Sequence, residues 1–166
     1  MVHAPTPAAA RRVVALGAAA TVPYIAVKTY WAAGGRAGLA DGFDMADEFT
    51  RNGAPGALVL LERHGVDFTA VLALTGLLLA CALVRPWGRK LPRRPLLALA
   101  CAGTLLVPYG LLTGLLALPG EGGAPAAPIT GWIAPAGVGA FLGIGTALGV
   151  GAWSHRHPER GRPTSP

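Results

Sequence analysis

The chain has 166 residues, of which 52% are hydrophobic and only 13% charged, with 24 Gly, 15 Pro and a mean hydropathy of +0.49. A soluble domain of this length carries about 25% charged residues, so this chain has too little charge to cover a water-facing surface, and its long apolar blocks exclude disorder. The net charge of +6 does not mark a nucleic-acid binder either, because the cations gather in short segments between apolar blocks.

Four blocks are long enough to cross the hydrocarbon, which takes roughly 20 helical residues. They cover residues 13–33, 66–84, 96–118 and 133–153. In lipid every backbone N–H and C=O must be paired within its element, so the blocks are read as helices. Nothing alternates over ten residues, as the strands of an outer-membrane barrel would. The predicted fold is an all-α membrane protein with four transmembrane helices. Residues 1–12 and 154–166 are expected to form disordered cytoplasmic tails around a membrane domain spanning residues 13–153.

In chain order, Arg11-Arg12 followed by an apolar run and Ala18-Ala19-Ala20 imitates a secretory signal with a small-residue cleavage site. The run continues to Ala33, which predicts an uncleaved signal anchor. Next comes the longest polar segment, residues 34–65. Here Leu39, Phe43, Ala46 and Phe49 recur at helical spacing opposite Asp41, Asp44 and Glu48. That stripe predicts a short interfacial helix, ending at Asn52-Gly53. A second apolar run, residues 57–61, is expected to dip into the interface. Helices two and three are joined by a short link rich in Arg and Lys, and helix four is followed by a Pro- and Arg-rich tail.

The distribution of charge orients the chain. Arg11, Arg12, Arg85, Arg89, Lys90, Arg93, Arg94, Arg156, Arg160 and Arg162 lie on one side with Glu159. Arg36, Arg51 and Arg63 lie on the other with Asp41, Asp44, Asp47, Glu48, Glu62, Asp67 and Glu121. One side therefore carries +9 and the other −4. Positive loops stay cytoplasmic, which predicts a multi-pass plasma-membrane protein with both termini inside. Tyr30, Trp31, Trp87, Trp132 and Trp153 all fall at predicted helix ends, where an aromatic belt is expected.

A short internal echo is also present. Arg11-Arg12 with Val22-Pro23-Tyr24 resembles Arg93-Arg94 with Val107-Pro108-Tyr109, as two hairpin repeats of the same topology would require. A composition this rich in Ala, Gly, Leu and Pro also produces such echoes by chance.

Lys28 is the single cation inside a predicted span. A cation at mid-membrane costs about 2.5–3.5 kcal/mol, but Lys28 lies five residues before Ala33, about 7–8 Å below the boundary. It can therefore snorkel to the headgroups or pair with Asp67 or Glu62 at the outer mouth of helix two. Tyr24 and Trp31 share its helix face, so Lys28, Tyr24, Trp31 and Asp67 form the candidate ligand or ion-pair site. On helix four Gly139, Gly143, Ala147 and Gly151 recur every four residues, with Gly145 and Gly149 on the neighbouring ridge. Small residues at this spacing let backbones approach closely, either against helix one or two or across a dimer. Cys81 and Cys101 read as small buried hydrophobes on a reducing side of the membrane. No catalytic residues, metal ligands or cofactor site can be assembled from what remains.

Pro23-Tyr24, Lys28, Trp31 and Gly34, then Leu61-Glu62 and Gly65-Val66-Asp67, then Val84-Arg85-Pro86-Trp87-Gly88 and Leu91-Pro92 resemble a group of small actinobacterial four-helix integral membrane proteins. The resemblance spans residues 23 to 110, and its most specific part is the turn at Arg85 to Gly88. The chain departs from it at Arg93-Arg94, where an aromatic residue is expected, and in helix four. It implies an integral plasma-membrane protein and no particular activity. Three functions are consistent with the residues. The first is a non-enzymatic accessory subunit with a heterologous membrane partner. The second is a dimeric carrier or channel with Lys28 near the pathway, and the third is a membrane enzyme acting on lipid or quinone.

Overall fold

The computed structural model describes residues 5–116 and 132–157. The regular elements among them are all helices: α1 (Pro7–Ala32), α2 (Met45–Arg51), α3 (Gly56–Arg63), α4 (Phe68–Val84), α5 (Arg93–Gly103), α6 (Leu106–Leu116) and α7 (Ile133–Arg156), with a 3₁₀ turn at Pro86–Lys90. Three helices are long and apolar enough to cross a membrane: α1, α7, and α5 with α6 taken as one span. A fourth is added if α3 and α4 count together. These two meet at a 96° bend, so α3 lies across the end of the bundle while α4 runs along it. Leu118 and Glu121 lie outside the described residues.

The elements begin and end where local chemistry directs. Thr6 Oγ1 accepts from Ala9 N at 3.2 Å, and Pro7 occupies the first helical position, where its missing N–H costs nothing. Helix α1 therefore starts six residues before the apolar block and takes in both Arg11 and Arg12. Asp67 caps α4 by accepting from Ala70 N at 2.9 Å. Arg85 adopts extended backbone (φ −106°, ψ 152°) ahead of Pro86, as a residue before proline prefers, and α4 stops there. The 3₁₀ turn then folds back so closely that a Cβ on Gly88 would overlap the Ala82 carbonyl. Helix α7 continues through Ser154 to Arg156, into the segment expected to be tail.

Two predicted helices differ in the structure. The third block is broken into α5 and α6 at Thr104 and Leu105. Pro108 has no N–H to donate to Thr104 O, and Val107 N takes that oxygen at 3.0 Å, which tightens the turn. The interfacial helix is shorter than its apolar stripe. Gly42 has a left-handed φ of +73°, so α2 begins only after the Asp44 cap, and Leu39 and Phe43 lie outside it. Asn52 and Gly53 end it as expected.

The bundle buries small residues and exposes large ones. Ala10, Ala80, Ala100, Ala140 and Ala147 are fully enclosed, whereas Leu16, Leu72, Leu78 and Leu105 are more than 60% exposed. Water would drive the opposite arrangement. Apolar solvent removes the penalty on exposed Leu and leaves close backbone packing as the source of association. The long helices alternate in direction: the start of α1, the end of α4, the start of α5 and the end of α7 meet at an Arg-rich end. Lys28, Thr113 and Ile133 meet at the other, which α2 and α3 cover.

Candidate functional site

At the capped end the fold brings together one cation from α1 and one anion from the start of α4. Lys28 Nζ lies 2.6 Å from Asp67 Oδ2, and the side chains are 8% and 0% exposed. Lys28 does not snorkel outward; its ammonium is enclosed by Met45 Sδ at 3.8 Å and by the rings of Trp31 and Phe49 at 5.6 and 5.5 Å. Such ring faces attract a cation. Asp67 Oδ2 meets the ammonium as an ion pair outside hydrogen-bond geometry, and its other oxygen carries the hydrogen bonds. Besides the Ala70 amide, Oδ1 accepts from Thr69 Oγ1 at 2.5 Å, and Thr69 in turn accepts from the Tyr24 hydroxyl at 3.0 Å. A continuous polar chain thus runs Tyr24, Thr69, Asp67, Lys28 through an apolar setting.

Trp31 departs from the expected aromatic belt. It is 7% exposed, and its Nε1 donates to Ala37 O at 3.0 Å. This bond fastens the loop after α1 beside Lys28. Tyr30, Trp87 and Trp132 remain about half exposed or more. Tyr24 and Tyr109, the two tyrosines of the sequence echo, both pack on Phe141 of α7, with ring centroids 6.1 and 5.0 Å apart.

Glu62 of α3 is the neighbour that Lys28 does not bind. It is buried, and its Oε2 has no hydrogen-bond partner among the described residues. Burial pushes its carboxyl above the usual carboxylate range, and nearby Asp67 adds to the effect while Lys28 opposes it. The cap is further tied down by Phe49 of α2 against Phe68 of α4, with ring centroids at 5.0 Å.

The small residues of α7 divide among three partners. Gly143 meets Gly17 of α1, and a Cβ on Gly139 would lie 3.6 Å from Ala20 O, while Gly151 packs on Leu83 of α4. Ala147 is fully buried at the same seam, close to Gly17. Gly145 and Gly149 face Val107 and Thr104 of the broken span. Cys81 and Cys101 are free thiols, and Arg156 donates to Cys101 Sγ at 3.0 Å.

A 280 Å3 cavity opens beside the ion pair, lined by Tyr24, Lys28, Thr113 and Phe141 among apolar neighbours. Thr69 and Met45 were not singled out in the sequence, and Phe49 stood there only as part of the apolar stripe. Thr69 carries one usable signal, its place two residues after a helix-capping Asp. Gly17 carries another, with Thr21 four residues on as a small-residue pair. No family model, curated protein or solved structure matches the chain.

Proposed function

We propose that the chain is an integral plasma-membrane protein with four spans and both termini cytoplasmic, acting without catalysis as an accessory subunit for a heterologous membrane partner. The imbalance of charge between its two ends supports this orientation. The Lys28–Asp67 pair carries the functional reading. Its charges are 2.6 Å apart, withdrawn from solvent, and committed to each other and to the α4 cap, so they hold α2 and α3 over the bundle. Above that clasp Asp41, Asp44, Asp47, Arg51 and Arg63 stay exposed, which suits a polar protein surface.

Native mass spectrometry of the full chain, extracted gently from its own membrane, tests this. The expected result is a second polypeptide at fixed stoichiometry, released when Asp41→Lys and Asp47→Lys reverse the cap charge. A homodimer with nothing else bound overturns the reading. It would favour the carrier, which the cavity beside Lys28 supports and which predicts flux that collapses in Lys28→Met.

A further inference from the structure

The end of the bundle away from Lys28 holds a larger cavity of about 810 Å3, formed where the ends of α1, α4 and α7 meet the 3₁₀ turn and the first residue of α5. Its polar lining is Arg11, Arg85, Arg89, Arg93, Ser154 and His155. Three of the arginines belong to the basic link at residues 85–93, and folding brings Arg11 of α1 and Ser154 and His155 of α7 to the same cavity. His155 Nδ1 lies 3.3 Å from Leu83 O, which holds the ring at the rim.

No carboxylate among the described residues pairs with these cations. Every carboxylate side chain among the described residues belongs to the capped end, where Arg51 and Arg63 pair with Glu48 and Asp47. Arg11 Nε donates to Pro7 O at 3.2 Å. The guanidinium groups of Arg85, Arg89 and Arg93 make no ion pair with a described residue. Guanidinium forks match the oxygens of a phosphate two at a time, and the volume is that of a small-molecule site. Trp87 and Leu91, on and just after the same 3₁₀ turn though outside the lining, are 46% and 41% exposed, an apolar shoulder on the element that carries Arg89.

We propose that this cavity binds the phosphate of an anionic phospholipid headgroup through Arg11, Arg85, Arg89 and Arg93. The inference rests on the chain spanning a bilayer and is independent of the accessory role. A soluble phosphate shares the chemistry; the apolar shoulder, along which an acyl chain can run, favours the lipid.

The test is native mass spectrometry of delipidated full-length protein titrated with phosphatidylglycerol, phosphatidylcholine or inorganic phosphate. Phosphatidylglycerol is expected to bind about tenfold more tightly than phosphatidylcholine, and Arg85→Gln with Arg93→Gln to abolish about that tenfold preference. Arg12→Gln with Arg94→Gln removes the same charge from residues outside the lining and is expected to change affinity less than about twofold. Arg85→Lys with Arg93→Lys keeps the charge without the forks; an intermediate loss of about threefold is expected, and this pair decides the matter if the glutamine pair does not fold. Equal affinity for the two lipids overturns the site. So does an equal loss in the Arg12 and Arg94 pair, which would mean diffuse surface attraction. Displacement of phosphatidylglycerol by an equal concentration of inorganic phosphate overturns the lipid as its source.

Discussion

Gly17 of α1 and Gly143 of α7 stand back to back. A Cβ on Gly17 would lie 2.5 Å from the Gly143 carbonyl oxygen, and one on Gly143 would lie 2.7 Å from the Gly17 oxygen. The two helices therefore cross as closely as backbones allow. Thr21 reinforces the choice of face, since it is fully buried and bonds back to Gly17 O at 2.7 Å. In a solvent as apolar as the side chains, such an approach supplies the dispersion contacts that exclusion from water supplies elsewhere.

The Gly143→Ala variant is expected to lose about 1–3 kcal/mol, because the obstructing atom is backbone and cannot rotate away. Gly139→Ala, whose nearest obstacle is Ala20 O at 3.6 Å, is expected to be neutral or to gain up to about 1 kcal/mol from reduced chain entropy. Thermal unfolding in one detergent, followed by circular dichroism, compares the two. Equal losses would show that the seam is not a backbone contact.

The ion pair predicts an asymmetry. Lys28→Met leaves Asp67 buried without its cation and is expected to cost about 3–5 kcal/mol. Adding Asp67→Asn, which retains an acceptor for Ala70 N, is expected to recover a substantial part of that loss. The same melting experiment, run as a double-mutant cycle, checks it. Additive losses would mean that the charges do not stabilise one another.

Glu62 predicts the reverse sign for a substitution. Its carboxyl holds a proton more tightly in the folded chain than its ordinary value of 4.5, for burial first and Asp67 second. Folding is therefore favoured below that ordinary value, and this contribution is lost as pH rises through the elevated folded one. Glu62→Gln is expected to raise the melting temperature at neutral pH and to flatten its fall from acid to neutral conditions. A lower melting temperature at neutral pH would show that the charged form is bound by a partner.

Much of the architecture was legible because its cause is local. Spanning requires an unbroken apolar run, and the blocks before Ala33 and Trp153 display theirs in composition alone. The Asp67 cap and the Asn52-Gly53 stop are equally short-range. Breaks were less visible: Pro23 leaves α1 continuous, whereas Pro108 accompanies a break, although both prolines sit in the same three-residue echo. Gly42 cut the outer helix short for the same kind of reason, since an apolar stripe records what a helix would bury and not where its backbone turns.

Composition and spacing by themselves determined that the chain forms apolar helices of membrane length, which ends are basic, and that Lys28 is the charge needing an explanation. Only the tertiary structure decided that Asp67 and not Glu62 neutralises it, that Trp31 turns inward, and that Arg11 joins three arginines of the basic link around one cavity. The physical reason is one of range. Desolvation and helix formation act along the sequence and leave a mark in it. The choice of a counter-ion depends on angles such as the 96° bend between α3 and α4, which places one carboxylate within 2.6 Å of the ammonium and leaves the other buried, its Oε2 without a hydrogen-bond partner among the described residues.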